Sequence, residues 1–509
     1  MSVRVRVAPS PTGAPHLGIL RTALFDFLCA RHHRGTMILR IEDTDRNRFV
    51  PGCEEEIMAS LRWLGIDWDE GPDVGGPFGP YRQSERKEAG IYAIWVQKLL
   101  DEGYAYWAFD TPEELEEMRE YQQVNRQPVG YFGGTWRDAS GAQVEAARAS
   151  GKPGVIRLKM PRGRLLVCDD LVRGRVEFDS DTVDDPVLIK ADGMPTYHFA
   201  AMVDDHLMEI THIIRGVEWI SSAPKHVWLF EAFGWTPPQF VHVQVINGPD
   251  GKKLSKRHGD TRVFDFKYAG FLPEALANFV ALIGWAPGGD REIMSMDELV
   301  EAFELDGLQP SPGVFDIEKL RWMNGHYLRG LSGESLLEKV GAYSGDPDVR
   351  AFWARDEHAA LPTGPALADL SRALTLDPAL AEEAFVLVRE RVVTLADFGE
   401  ACDFVFVDRP VMDPAAVGKW LTVPHARRLF ECLAADLVSP EDAISVEACE
   451  RLVRSFAEGH GIDKLGPVVH PVRVALTGRT VGPGLFELMS VLGRRRMIER
   501  FENALRLLP

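Results

Sequence analysis

The residues most able to do chemistry are concentrated in the segment at 8–21, APSPTGAPHLGILR. Its three prolines restrict the backbone, while Gly13 and Gly18 permit unusual dihedral angles or the close approach of a ligand. His16 can donate a hydrogen bond to a phosphate, and the N-terminus of a following helix binds anions through its free N–H groups. The segment therefore predicts one side of an anion site, although a rigid surface turn with an exposed histidine would show the same residues.

A second segment, KKLSKR at 252–257, has the composition expected for the other side of that site. Gly248, Gly251 and Gly259 flank it, so we expect this loop to close over a ligand. Lysine charges directed at nucleotide phosphates would stabilise phosphoryl displacement electrostatically. The sequence has no GxxxxGK[ST] motif, and the predicted products are an adenylate and pyrophosphate, with Mg²⁺ shared by the ATP phosphates.

The pattern around the first segment predicts the start of a doubly wound α/β domain. Valine and arginine alternate over residues 3–7 as in a strand, and apolar residues then follow with helical spacing until Gly35. A second predicted strand, 36–41, runs directly into the acidic cluster EDTD at 42–45. In parallel α/β sheets this edge is where ligands bind.

The rest of the chain predicts several more domains, because 509 residues are too many for one core. A predicted helix near 88–103 and short strands between 155 and 189 indicate an α+β insertion. After it, residues 199–215 alternate between helix and strand, and residues 230–245 complete the sheet. Beyond residue 333 the apolar spacing is helical, and one stripe begins at Asp377 and runs to Leu395. The predicted fold is thus a multidomain protein with a Rossmann-like α/β domain and an all-α C-terminal region.

Composition is that of an ordinary soluble globular protein, with 45% hydrophobic and 26% charged residues. The net charge of −19 argues against nucleic-acid binding overall, but binding is local. Basic patches at 152–164, 252–257 and 494–496 could each contact phosphates or simply be solvated surface. Met1 precedes a charged strand and no run of 18 apolar residues occurs, so we expect a cytoplasmic location.

The six cysteines form no CxxC or CxC pair, and the histidines lack matching ligand clusters. A disulfide framework or a zinc site is therefore not expected, and no metal is expected beyond the Mg²⁺ of Mg-ATP.

Several motifs together resemble one known family. PSPTGAPHLG followed by KLSKR resembles the two signature motifs of class I aminoacyl-tRNA synthetases. RIEDTD, GPYRQSER, PTYHFA, FDIEKLRWMNGHYL, ALTGR and PGLFE resemble glutamyl-tRNA synthetases over essentially the full length. The resemblance implies a monomer that ligates L-glutamate to tRNA-Glu in two steps. ATP and glutamate form glutamyl-adenylate and pyrophosphate, and the acyl group then passes to the terminal adenosine of the tRNA.

The resemblance also implies an order of domains along the chain. These are a Rossmann-like catalytic domain at 1–83 and 196–249, an acceptor-end-binding insertion at 84–195, a helical stem-contact domain with the KLSKR loop at 250–332, and helical anticodon-binding subdomains at 333–415 and 416–509.

Matching the motifs residue by residue implies four sets of site residues. The glutamate-binding set is Arg6, Ala8, Ser10, Glu42, Tyr197 and Arg215. The ATP-binding set is Pro9, Ser10, Thr12, Gly13, His16, Gly18, Glu218, Trp219 and Lys256. The catalytic set is His16, Lys253, Ser255 and Lys256. The anticodon set is Arg391, Gly484 and Leu485.

The glutamate-binding residues have specific implied roles. Arg6, beside Tyr197, meets one carboxylate and Arg215 meets the other, because a planar guanidinium binds a carboxylate bidentately. Glu42 and Ser10 hold the ammonium group. Considered singly, the arginines could form internal salt bridges, Glu42 could be a solvated or helix-capping acid, and Tyr197 could be ordinary core.

Arg391 aligns with the position where glutamate-discriminating members use an arginine to read the last anticodon base. This favours an enzyme that ignores tRNA-Gln, with an exposed helix arginine as the alternative. The sequence departs from the family pattern at Ile19, where some members have His, at Ala201, where some have Asn, and at Leu254, where others have Met. Ala201 puts one glutamate contact in question.

Several related functions compete with this interpretation. A glutaminyl-tRNA synthetase would carry β-barrels where this chain is helical, and the glutamyl-queuosine relative lacks the anticodon half. A simple nucleotidyltransferase would not need 250 further residues. A non-discriminating enzyme that also charges tRNA-Gln remains an alternative. A non-catalytic tRNA-binding paralogue would be expected to lose His16, Lys256 or Arg6, and the sequence retains all three.

Overall fold

The computed structural model describes residues 2–255, 262–355, 358 and 363–508. The chain divides into two compact units. The first unit comprises Met1–Val263 and Leu276–Asp316, and the second comprises Phe264–Ala275 and Ile317–Pro509.

The strands belong to the first unit and are short. They are β1 (Arg4–Val7), β2 (Thr36–Leu39), β3 (Ala105–Ala108), β4 (Val155–Leu158), β5 (Leu165–Asp170), β6 (Gly174–Asp179), β7 (Val187–Ile189), β8 (His212–Gly216), β9 (Gln239–Val243), β10 (Ile246–Asn247) and β11 (Gly313–Val314).

Parallel pairing dominates the sheet that carries the candidate site. β1 pairs with β2 from Arg4–Thr36 to Val7–Leu39, and β8 pairs with β9 in the same sense. The Thr211 N–H donates to the Arg4 carbonyl at 2.9 Å, which makes the start of β8 a neighbour of β1. The parallel α/β start predicted from the sequence is confirmed.

Part of the predicted insertion instead extends the sheet that carries the candidate site. β5 pairs with β9 through Asp170 and Phe240, so the strand order is β6-β5-β9-β8, while β3, β4 and β7 form a separate antiparallel sheet. The sequence pattern could not separate these sheets, because alternating burial along β5 identifies a strand but not its partner.

The helices of the first unit surround these sheets. They are α1 (Leu17–His32), α2 (Cys53–Trp63), α3 (Gln83–Glu88), α4 (Ile91–Asp101), α5 (Pro112–Val124), α6 (Gly141–Ala149), α7 (Tyr197–Leu207) and α8 (Ala223–Phe233). Of the helices that follow, α9 (Val263–Tyr268) belongs to the second unit apart from its first residue, α10 (Pro273–Ala281) is divided between the two units, and α11 (Met296–Ala302) belongs to the first. The helix predicted near 88–103 is α4, which begins three residues later than predicted because Gly90 takes a left-handed conformation (φ 76°) that separates it from α3.

The second unit is built from helices throughout its described part. They are α12 (Ile317–Arg329), α13 (Gly333–Gly345), α14 (Pro347–Trp353), α15 (Thr363–Leu376), α16 (Pro378–Val388), α17 (Asp397–Phe406), α18 (Pro414–Ala416), α19 (Ala426–Asp436), α20 (Val446–Gly459), α21 (Gly466–Thr477) and α22 (Leu485–Leu507), the last broken at Gly493. This helical composition confirms the all-α prediction.

The apolar stripe predicted to run to Leu395 is not a single helix but covers helix α16 and the non-α-helical segment after it. Helix α16 ends at Val388, and a 3₁₀ turn, Arg389–Arg391, follows. The Asp397 carboxylate accepts the backbone N–H groups of residues 393 and 394 at 2.9 and 2.8 Å, which satisfies donors that the helix no longer binds. Leu395 is buried nonetheless. Among the described helices, none is long and apolar enough to cross a membrane.

Candidate active site

One cavity of about 1290 Å³ in the first unit collects the residues predicted to bind glutamate and ATP. Its lining includes Arg6, Ala8, Pro9, Ser10, Thr12, Gly13, His16, Gly18, Glu42, Tyr197, Arg215, Glu218, Trp219, Lys253 and Ser255. Lys256, predicted for both ATP binding and catalysis, lies outside the described residues.

His16 caps the helix that follows the first motif. Its Nδ1 accepts the Gly18 N–H at 3.1 Å, so the ring proton is on Nε2, which remains a donor. A Cβ at Gly18 would lie 2.9 Å from His16 Cε1, which explains why glycine occupies this position. Burial, then the charge of Lys253, lowers the pKa of His16, so the imidazole is neutral.

Lys253 approaches the same cavity from the second motif. Residue 253 pairs with Asn247 in an antiparallel bridge, and the Leu254 N–H donates to the Ile246 carbonyl at 2.8 Å. Gly251, with φ 74°, makes the turn that allows this pairing. The described start of the basic loop is therefore fixed to β10, with the lysine beside His16.

Arg6 is held from behind by a buried ion-pair network. Its Nε donates to Asp205 Oδ1 at 3.0 Å, and Arg40 Nη1 donates to the same oxygen at 2.7 Å. Burial opposes ionisation of Asp205, but attraction to Arg6 and Arg40 outweighs it and lowers the pKa of this carboxyl. Asp205 thus fixes the Arg6 guanidinium at the cavity wall.

Glu42 also lines the cavity while bonded to this network. It is 5% exposed and accepts from Arg40 Nη2 at 2.9 Å. Burial raises the pKa of Glu42 against the opposing effect of Arg40. Helix capping, one alternative for Glu42, is instead the role of Asp43, which accepts the Ser84 N–H at 2.8 Å.

Arg215 has partners of a different kind. Its Nε donates to His242 Nε2 at 2.9 Å, and its Nη1 lies 3.0 Å from His226 Nδ1. Its Nη2 is buried and has no hydrogen-bond partner among the described residues. Arg215 therefore has a free donor, whereas Arg6 is bonded to a carboxylate.

Tyr197 also lines this cavity, with its ring centroid 4.2 Å from that of Trp219.

Asp205, Arg40, His226 and His242 were not singled out from the sequence. The available signal was ionisable residues within buried apolar runs, as in AAMVDDHL and QFVHV. Such residues need polar partners, but the sequence does not say which ones.

A stability prediction follows from His198, whose Nδ1 lies 3.0 Å from His226 Nε2. Burial, then the charges of Lys225 and Arg215, lowers the pKa of His198 from 6.5 to about 4. The unfolded chain binds a proton there below about pH 6.5 but the folded chain does not until about pH 4, so stability falls as the pH decreases. Titration of His198 should lower the unfolding free energy of the wild type by about 2 kcal/mol between pH 7 and pH 5, and His198→Asn should abolish this part of the decrease.

This prediction is tested by urea unfolding of the wild type and His198→Asn at both pH values. His326→Asn, at an exposed histidine of the second unit, is the control. Equal pH dependence in the wild type and His198→Asn would contradict the assignment of a depressed pKa.

The predicted anticodon residues form a separate group in the second unit. Arg391 is exposed at the end of its 3₁₀ turn, and burial, then the charge of Arg391, lowers the pKa of Arg473. Arg473 donates to the Pro483 carbonyl, immediately before Gly484, which is the N-cap of α22. The Leu485 side chain is buried, so Leu485 can offer a ligand only its backbone N–H.

Comparison with known proteins agrees with this geometry. A model described as "tRNA synthetases class I (E and Q), catalytic domain" matches residues 2–322, and one described as "Anticodon binding domain" matches residues 360–505. The chain therefore carries the catalytic and anticodon-binding parts of a class I tRNA synthetase.

Individual relatives narrow the class. A glutamate–tRNA ligase of Thermus thermophilus is 42% identical over 505 residues, 99% of this chain and 100% of the relative. Glutamate–tRNA ligase 2 of Caldicellulosiruptor saccharolyticus is 41% identical, with 98% of each chain covered. A crystal structure of a glutamate tRNA ligase from Elizabethkingia meningosepticum, in complex with its amino acid, has a TM-score of 0.86 at 37% identity and covers 99% of both chains.

The chain belongs to the glutamate–tRNA ligase family. It is accordingly an enzyme that uses ATP to join glutamate to tRNA.

Proposed function

We propose that this enzyme charges tRNA-Glu in two steps within the single cavity described above, as a monomer in the cytoplasm. A carboxylate oxygen of glutamate attacks the α-phosphorus of Mg-ATP, and the bond to the β-phosphate oxygen breaks to release pyrophosphate. A ribose hydroxyl of the terminal adenosine then attacks the acyl carbon, and AMP leaves. No side-chain nucleophile is needed, because positioning and charge stabilisation supply the catalysis.

The observation that carries this proposal is the arrangement of three cationic side chains and one neutral hydrogen-bond donor, His16, around one cavity. His16 and Lys253 lie together where the phosphates would bind, and Arg6 and Arg215 line the same cavity where two carboxylates would bind. Mg²⁺ would enter with ATP as part of the substrate. Glu42 and Ser10 would receive the ammonium group, and Glu218 and Trp219 the adenosine.

The remaining segments would bind the tRNA. Residues 84–195 are proposed to hold the acceptor end, apart from β5 and β6, which extend the catalytic sheet. Residues 250–332 would contact the stem, and 333–415 and 416–509 the anticodon. The match of the anticodon-domain model to residues 360–505 supports the last assignment.

Charging of purified tRNA-Glu and tRNA-Gln transcripts with labelled glutamate tests the proposal. We expect charging of tRNA-Glu and at least about 100-fold less efficient charging of tRNA-Gln. A difference of this size is expected when contacts to the edges of one or two bases are lost. Charging of neither transcript would contradict the enzymatic proposal. Comparable charging of both would contradict only the discrimination.

Arg391→Ala should reduce the ratio of kcat/KM for tRNA-Glu to kcat/KM for tRNA-Gln by about 10- to 100-fold, because a bidentate arginine contributes this much discrimination at one base. The KM for glutamate should stay within about 2-fold of the wild type, since the substitution lies in the other unit. Arg451→Ala, an exposed arginine of α20, is the matched control. An unchanged transcript preference in Arg391→Ala would exclude Arg391 as the discriminating residue.

A further inference from the structure

Five side chains behind the cavity form a continuous chain of hydrogen bonds. Asp170 Oδ2 lies 2.7 Å from His242 Nδ1, and His242 Nε2 accepts from Arg215 Nε at 2.9 Å. On the other side, Arg215 Nη1 lies 3.0 Å from His226 Nδ1, and His226 Nε2 lies 3.0 Å from His198 Nδ1. The chain joins β5, β9, β8, α8 and α7, with Arg215 at its centre.

The arginine determines the protonation of this whole chain. A guanidinium can only donate hydrogen bonds, so the ring nitrogens that face Arg215 must both be unprotonated acceptors. His242 then carries its proton on Nδ1 and donates to Asp170, and His226 carries its proton on Nε2 and donates to His198. The two histidines in contact with the arginine are therefore neutral, in opposite tautomers. Burial, as the largest cause, lowers the pKa of both rings, which agrees with this assignment.

The two arginines proposed to bind glutamate differ in how their charge is compensated. Arg6 forms an ion pair with Asp205, whereas Arg215 forms no ion pair within the described residues. The Phe240 ring also lies beside the Arg215 guanidinium, with its centroid at 5.3 Å. Asp170 does not contact Arg215, and its oxygens accept the N–H groups of Val172 and Arg173 as well as both N–H groups of His242.

A buried arginine is usually paired with a carboxylate, because an uncompensated charge in a low-dielectric site is costly. Arg215 instead has two neutral acceptors, and its buried Nη2 has no partner among the described residues. The arrangement fixes the guanidinium in orientation but leaves its charge and one donor available for an incoming anion.

We propose that His226 and His242 are positioning residues for substrate recognition, which hold Arg215 as neutral hydrogen-bond acceptors so that its charge is compensated by a carboxylate of glutamate. This rests on the proposed glutamate site and adds two residues to it. An acidic residue at either position would bond Arg215 equally well but would compete with the substrate for its charge.

A pair of isosteric substitutions separates charge from geometry. In His226→Asn, Oδ1 replaces Nδ1 on the same carbon and remains a neutral acceptor for Arg215. In His226→Asp the same oxygen position carries a negative charge. We expect the KM for glutamate to stay within about 3-fold of the wild type in His226→Asn and to rise about 100-fold in His226→Asp. The kcat should change little in both, because the interaction is lost equally from ground and transition states.

Aminoacylation at saturating ATP and tRNA-Glu measures these constants, with thermal unfolding to show that each variant is folded. His212→Asn is the matched control, since His212 lies on the same strand as Arg215 but bonds to Thr211. Equal KM values in His226→Asn and His226→Asp would overturn the proposal, because a structural role depends only on shape and an acceptor.

A second measurement does not depend on activity. Nitrogen-15 NMR of labelled histidine should show His242 as the Nδ1–H tautomer and His226 as the Nε2–H tautomer, both neutral at pH 7. An imidazolium at either position, or the opposite tautomer, would also overturn the proposal. Absence of tRNA-Glu charging by the wild type would contradict the proposed function instead, and the tautomer result would still stand.

Discussion

Arg215→Gln is expected to lower kcat/KM for glutamate by about 100- to 1000-fold while the KM for ATP changes by less than about 3-fold. The substitution removes a charge-assisted donor pair and leaves a substrate carboxylate unpaired in a buried site, which costs about 2–5 kcal/mol. The result is obtained from aminoacylation kinetics with each substrate varied in turn.

Arg215→Lys sharpens this prediction. A lysine keeps the charge but not the planar fork that bonds two histidines and the substrate together, so it should recover no more than about 10-fold of the loss. Arg62→Gln, an exposed arginine of the same unit paired with Asp73, should behave as wild type. A rise in the KM for ATP with an unchanged KM for glutamate would show that Arg215 binds ATP and not glutamate.

Two substitutions of His16 are expected to separate its structural and chemical roles. His16→Ala and His16→Asn should both reduce the rate of adenylate formation by about 100- to 1000-fold, the usual loss when a donor to developing charge is removed. Asparagine is a good N-cap and alanine is not, so only His16→Ala should lower the unfolding free energy, by about 1 kcal/mol.

These two effects are measured by glutamate-dependent ATP–pyrophosphate exchange in the presence of tRNA-Glu and by urea unfolding. Wild-type exchange rates in His16→Asn would show that the imidazole serves only as a cap. Thr111→Ala removes a side-chain cap far along the same unit and should lower stability without changing the exchange rate.

The part of the site that the sequence predicted depends on contiguous motifs. Both signature segments combine glycines with donors over a few residues, and local geometry then follows, as His16 and Gly18 show. Arg6 and Arg215 could be matched to their motifs for the same reason. The different hydrogen-bond partners of these two arginines could not be predicted from the sequence, because Asp205 is 199 residues from Arg6 along the chain and His242 is 27 residues from Arg215.

For the fold, too, local features were predicted from the sequence and contacts between distant segments were not. The order of strands and helices followed from periodicity, but the pairing of β5 with β9 did not, since it joins segments separated by two helices and several strands. The end of α1 was predicted from Gly35, whereas the boundary at Gly90 was not. The end of α16 was missed because a side chain, that of Asp397, makes the turn beyond it.

The central claim is that one cavity binds ATP and glutamate side by side. A stable sulfamoyl analogue of glutamyl-adenylate tests it most directly, through inhibition of aminoacylation with either substrate varied. The account predicts that the analogue competes with both ATP and glutamate, and that Arg215→Gln weakens its binding at least about 100-fold. Competition with only one substrate, or unaltered binding to Arg215→Gln, would contradict it.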